Sequence, residues 1–93
     1  MAGTVHGLLE RAARQTPERE LLREREDSHS YAAIEARANA VAERLLEAGL
    51  ARGDRVALLA KNSHVYVAGY YGILKAGGVA VPRALVGPLG GVD

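Results

Sequence analysis

Few side chains in this sequence are of the kinds that do chemistry, and their spacing decides what they can do. Ser63 and His64 are adjacent, a hydroxyl nucleophile beside an imidazole base. Neighbours at a helix start seldom point at each other, and no third group stands ready to orient the imidazole. Ser63 therefore reads as a helix cap, whose short side-chain oxygen accepts a free backbone N–H. His6, His29 and His64 stand singly, with no HxxxH or HxH spacing to make a metal site, and read as surface or half-buried residues. Tyr66, Tyr70 and Tyr71 form a partial aromatic stripe. Such a stripe can serve as a cofactor platform, but packing with hydroxyls at a polar rim is the simpler reading. Gly87, Gly90 and Gly91 offer a phosphate cradle only if a helix N-terminus backs them and a lysine or hydroxyl follows, and neither does. Lys75 falls in a last helical turn, where a cation complements the helix dipole. The residues thus assign no catalytic, cofactor-binding or metal-binding position.

The elements that must carry these side chains are organised around Asn62 to Pro82 (NSHVYVAGYYGILKAGGVAVP). Asn62 and Ser63 can cap a helix, and Val65 to Leu74 is almost wholly apolar or aromatic, the mark of a helix covered over most of its circumference. Gly77 suits the left-handed residue after a helix end. Val79, Ala80 and Val81 read as a strand buried on both faces, stopped by Pro82. Gly69 and Gly72 each cost roughly 1 kcal/mol against alanine in a helix interior, which implies close backbone packing against another element.

Upstream, Thr4 to Gln15 reads as a helix with Val5, Leu8, Leu9, Ala12 and Ala13 on one face, ended by Thr16-Pro17. A short edge strand is expected around Leu21 and Leu22 within a charge-rich stretch read as a solvated face, then a second over Ser28 to Tyr31. Tyr31 to Ala48 is the clearest helix. Its stripe is Ile34, Ala38, Val41, Ala42, Leu45 and Leu46, and Gly49 closes it. Arg55 to Ala60 is a buried strand candidate after the Ala51-Arg52-Gly53-Asp54 turn. The order α, two short strands, α, β, α, β implies an α/β fold built from βαβ units with a short parallel sheet and right-handed crossovers. Residues 83–93 differ in texture, rich in Gly and Pro, and are expected to form a flexible tail behind a subdomain spanning residues 1–82.

Composition excludes several classes of function. The chain has 93 residues, 48% of them hydrophobic, with four Tyr and neither Phe nor Trp, so its core is aliphatic. A net charge of +1 with interspersed signs argues against a nucleic-acid footprint or a polybasic membrane patch. The absence of cysteine excludes disulfides and thiolate metal sites. No apolar run is long enough to span a bilayer and no signal core opens the chain, so a soluble cytoplasmic protein is expected.

Five motifs in one consistent order resemble the N-terminal part of the adenylate-forming enzymes, the superfamily of acyl-CoA synthetases, nonribosomal peptide synthetase adenylation domains and luciferases. Leu74-Lys75-Ala76-Gly77 and, three residues on, Val81-Pro82 match that family's LKAGxxxVP. Gly53-Asp54-Arg55-Val56-Ala57 matches GDRVA, and Asn62-Ser63 matches its xNSxEY segment. Ser30-Tyr31 opens the S/T-Y-x-E-L motif, and Ala36-Arg37-Ala38-Asn39 matches ARAN. The helix from Thr4-Val5-His6 to Gln15-Thr16-Pro17 is also similar. The likeness covers roughly residues 4 to 82 and departs at Ala33, where the family has glutamate. The family's phosphate loop, adenine-binding segment, ribose-binding aspartate and C-terminal catalytic lysine have no counterpart. No Ser or Thr follows Ser63, and no Lys follows Lys75.

The resemblance therefore implies an incomplete N-terminal subdomain of an ATP- and Mg²⁺-dependent ligase, in which the element packed on Gly69 and Gly72 would largely come from residues missing here. The intact enzyme would convert a carboxylate to an acyl- or aminoacyl-adenylate and then to a thioester. This chain is expected to hold no cofactor and to be inactive by itself. An alternative reading makes it an assembly or binding module that self-associates, or complements another polypeptide, through its apolar helix and exposed sheet edge. A free-standing nucleotide-binding domain is disfavoured, because no glycine fingerprint follows a strand.

Overall fold

The computed structural model describes residues 5–83. The elements in order are α1 (Val5–Gln15), β1 (Glu20–Glu24), β2 (Asp27–Ser30), α2 (Tyr31–Glu47), β3 (Arg55–Leu58), α3 (Ser63–Lys75) and β4 (Val79–Pro82). This is the expected order. The glycines of the proposed tail, Gly87, Gly90 and Gly91, lie outside the described residues.

The strands form two separate pairs. β3 and β4 pair in parallel from Arg55↔Val79 to Leu58↔Pro82, with α3 as the crossover. β1 and β2 form an antiparallel hairpin that shares no strand with the first pair. A register shift between Glu20 and Leu22 interrupts the hairpin. In a regular strand Leu21 and Leu22 would face opposite sides. The bulge lets both pack against the same core.

Helix ends follow local chemistry. Ser30 caps α2, its Oγ accepting the Ala33 N–H at 3.1 Å. Both α2 and α3 end in the same glycine-dependent motif. Gly49 (φ 99°) and Gly77 (φ 90°) adopt the left-handed conformation, and the next N–H returns to the helix, Leu50 to the Leu45 carbonyl at 3.0 Å and Gly78 to the Ile73 carbonyl at 2.9 Å. At its start α3 departs from expectation. Asn62 is the N-cap residue but its side chain makes no capping bond, and Ser63 lies already inside the helix. The cap comes from β1: the Glu24 carboxylate accepts the Ser63 N–H at 2.8 Å and the His64 N–H at 3.2 Å. A full negative charge there also complements the helix dipole.

The core gathers Leu9, Ile34, Ala38 and Ala68, with Leu21, Leu22, Tyr31, Val67 and Tyr71 packed around it. Helices α2 and α3 meet face to face, and glycine sets how closely. A β-carbon on Gly72 would lie 2.5 Å from Val41 Cβ, and one on Gly69 would lie 2.8 Å from Leu58 Cδ1. The close packing implied by these glycines is therefore met inside this chain.

The parallel strands β3 and β4 are covered less than their composition implies. Val56 and Leu58 of β3 turn inward, whereas Arg55 and Ala57 are exposed, and Val79 of β4 is 46% exposed. Burial on both faces requires a layer on each side of the sheet. Among the described residues only one side is covered. Leu46 (54%) and Leu8 (58%), placed by periodicity on apolar stripes, are likewise exposed.

Candidate functional site

Three polar and apolar features remain after the packing is accounted for. The first is an open groove of about 750 Å³ whose walls include Leu8, Leu21, Tyr31, Tyr66, Tyr70 and Tyr71. The tyrosine stripe thus faces a shared surface depression, with Tyr70 and Tyr71 in edge contact at a centroid separation of 5.9 Å. The groove walls offer no charged group or nucleophile to act on a bound molecule.

The second is an ion-pair triad that ties three helices. Lys75 Nζ lies 2.5 Å from Glu10 Oε2 on α1 and 3.2 Å from Glu35 Oε2 on α2, and its side chain is only 7% exposed. Its role goes beyond complementing a helix dipole, because it neutralises two carboxylates brought together by folding. The hydrogen bond from Lys75 is the main cause holding the Glu10 carboxyl below its usual range.

The third corrects the sequence reading most sharply. His29 and His64, 35 positions apart by their numbering, stack with centroids 4.2 Å apart and planes 11° from parallel. Glu24 joins them. The His64 Nδ1–H donates to Glu24 Oε1, and His29 Nε2 lies 3.9 Å from the same oxygen. These three side chains are half-buried, and their donor atoms fall within 4.8 Å of one another. The hydrogen bond from His64, reinforced by the Ser63 N–H, lowers the Glu24 carboxyl to about 2. His6 is not part of this group. Ser63 offers only its backbone N–H to the cluster, so the adjacent Ser63 and His64 do not form a nucleophile and base pair.

Sequence reasoning missed Glu24 because it sits in the charge-rich stretch read as a solvated face. No local signal could reveal it: its partner His64 is 40 residues away, reached only once the hairpin packs on the start of α3.

Comparison with known proteins accounts for the fold. The family model of the AMP-binding enzyme matches residues 9–85. The AMB antimetabolite synthetase AmbB of Pseudomonas aeruginosa is 39% identical over 80 residues, which is 86% of this chain but 6% of AmbB. The nonribosomal peptide synthetase FmoA3, solved with AMPPNP bound, superposes with a TM-score of 0.84 at 28% identity, over 89% of this chain and 9% of its own. The N-terminal domain of FACL13 from Mycobacterium tuberculosis gives a TM-score of 0.76 at 38% identity, over 83% of this chain and 20% of that one. The chain thus spans a small fraction of the relatives it matches. In sequence and in fold it corresponds to the N-terminal part of such enzymes, and it belongs to the AMP-binding enzyme family.

Proposed function

We propose that this chain serves as the N-terminal structural segment of an ATP-dependent ligase that activates a carboxylate as an acyl- or aminoacyl-adenylate and then forms a thioester. We further propose that it does not catalyse this reaction by itself. The observation that carries the reading is the match over residues 9–85, set against the small share of each relative that those residues represent. ATP and Mg²⁺ would then be held by other parts of such an enzyme. Neither the groove nor the Lys75 triad supplies a phosphate-binding loop, and the lysine's charge is already spent on Glu10 and Glu35. The groove and the open sheet face fit surfaces that the remainder of an adenylate-forming subunit covers. Cytoplasmic location, and the lack of nucleic-acid and membrane partners, belong to the same reading. Among the described residues no helix is long and apolar enough to cross a membrane. ATP–pyrophosphate exchange by the pure chain, measured across a panel of carboxylic and amino acids, tests the proposal. No exchange above background is expected, and substrate-dependent exchange would overturn it.

A second reading rests on exposed Leu8, Leu46, Leu59, Val65 and Val79. Such uncovered apolar side chains, together with the free edges of the two-stranded β3–β4 sheet, would support self-association or complementation by another polypeptide. Sedimentation across a concentration series decides it: a monodisperse monomer at high concentration refutes self-association.

A further inference from the structure

The Glu24–His29–His64 cluster has the composition of a transition-metal site and lies apart from the apolar groove. We propose that it binds one divalent transition-metal ion, Zn²⁺ being the best fit, through one carboxylate oxygen and two imidazole nitrogens. Imidazole with carboxylate is a donor set suited to Zn²⁺, whereas Mg²⁺ and Ca²⁺ prefer oxygen alone. The three donors come from the end of β1, from β2 and from the start of α3. An ion there would cross-link the hairpin to the central helix.

The decisive observation is His29 Nε2, which is buried and has no hydrogen-bond partner. A buried polar atom is ordinarily satisfied, and leaving one unpaired costs about 1–3 kcal/mol. In the neutral tautomer protonated at Nδ1, this nitrogen presents a lone pair toward the cluster. Glu24 is an acceptor only, so the hydrogen bond between it and His64 places a proton on His64 Nδ1. Metal binding replaces that proton. It moves through solvent to His64 Nε2, the imidazole changes tautomer, and the ion sits between Nδ1 and the carboxylate. Glu24 keeps its second oxygen on the Ser63 N–H, so the helix cap survives.

The donor atoms must contract. They now lie within 4.8 Å of one another, whereas bonds of about 2.0–2.1 Å in a tetrahedral site bring donors closer together. A metal also lies in the plane of each imidazole it binds, and two stacked, nearly parallel rings cannot both meet that condition. Binding therefore tilts the rings out of their stack. The recess outside the cluster is lined by Arg23, Arg25 and Lys61 as well as Asp27. Those cations weaken affinity, and the open side leaves the remaining coordination position to water.

The test is Zn²⁺ titration of the full 93-residue chain, carrying no polyhistidine tag, by calorimetry with proton NMR of the histidine rings. One ion per chain is expected, with the ring signals of His29 and His64 shifting and those of His6 unmoved. His29→Gln is the key variant, because the nitrogen it removes makes no hydrogen bond in the metal-free fold. It and Glu24→Gln should each weaken binding at least about tenfold, on the scale of losses seen even for residues that only support a ligand. His6→Gln should not. Absence of uptake, undiminished uptake by His29→Gln, or equal uptake in urea after the helical signal is lost would each overturn the proposal.

Discussion

Replacing Gly72 by alanine tests whether the α2–α3 contact is set by backbone proximity. At an exposed helix position this change stabilises by roughly 1 kcal/mol, because alanine has the higher helix propensity. Here the new methyl would stand 2.5 Å from Val41 Cβ, 2.6 Å from Val41 Cγ1 and 2.9 Å from the Ala38 carbonyl oxygen. Carbon atoms rest at about 3.5–4.0 Å, so the helices must separate by roughly 1 Å along this line. Two of the three atoms belong to backbone or to a Cβ and cannot rotate away. Overpacking of this kind costs about 1–3 kcal/mol, and the rigidity of these neighbours places Gly72→Ala toward the upper end. After the propensity gain the net loss is about 1–2 kcal/mol. With a urea dependence near 1 kcal/mol/M, the unfolding midpoint followed by far-UV circular dichroism falls by about 1–2 M. Gly69→Ala is the matched control. Its methyl meets only Leu58 Cδ1, at 2.8 Å, the end of a flexible side chain. Its midpoint should stay within about 1 M of the parent, because rotation of that methyl offsets little of the propensity gain. Adding Val41→Ala to Gly72→Ala should restore only part of the loss, since Cβ and the Ala38 carbonyl remain in place. A Gly72→Ala chain as stable as the parent would refute the reasoning.

Arg25 adopts φ 56° in the hairpin turn, a conformation that costs a non-glycine residue about 1–2 kcal/mol. Arg25→Gly should therefore stabilise the fold by about 0.5–1 kcal/mol once the entropy of the unfolded glycine is deducted, read as a higher urea midpoint. Ser30→Ala removes the α2 cap and should cost about 1 kcal/mol in the same assay. Lys75→Met leaves half-buried Glu35 without its cation and should cost about 1–3 kcal/mol, read by thermal or urea melts at neutral pH. The carboxyls of Glu10 and Glu24 are both held below the ordinary value of 4.5, Glu24 at about 2. A lowered folded pKa adds stability that is complete above the unfolded value and lost as pH falls through the folded one. The midpoint should thus decline from about pH 4.5 downward, and Lys75→Met should flatten the part of that decline owed to Glu10.

The fold was legible where signals are local. The Ile34, Ala38 and Ala42 spacing and the Gly49 and Gly77 stops each act within a turn or two, and each placed its element correctly, whereas the Ser30 cap emerges only from the structure. The strand lengths were overread at Ala60, because a run of apolar residues does not say where pairing ends: β3 pairs only as far as Leu58, where β4 meets Pro82. Composition puts Val79 inside and helical periodicity does the same for Leu46, yet both are exposed. An apolar residue is buried only if another layer arrives to cover it, and periodicity carries no information about that layer.

The Glu24 cluster shows the same limit from the opposite side. A histidine, a second histidine and a glutamate with no motif spacing look unrelated in the chain, yet the hairpin and the start of α3 set them side by side. Short spacing rules detect sites built within one element, and this one is built from three. For the same reason Asn62, well suited to cap α3, does not do so. A carboxylate that accepts two backbone N–H groups and a His64 proton outcompetes a neutral side-chain amide, since hydrogen bonds to a charged acceptor are roughly twice as strong. Glu24→Ala should therefore let Asn62 take over the cap. The helix content of α3 would then be nearly unchanged, while the His29–His64 stack loses its anchor. Ring-proton NMR sees that loss directly. If the two histidine rings kept their mutual shielding in Glu24→Ala, then apolar packing, and not the carboxylate, would be what holds them together.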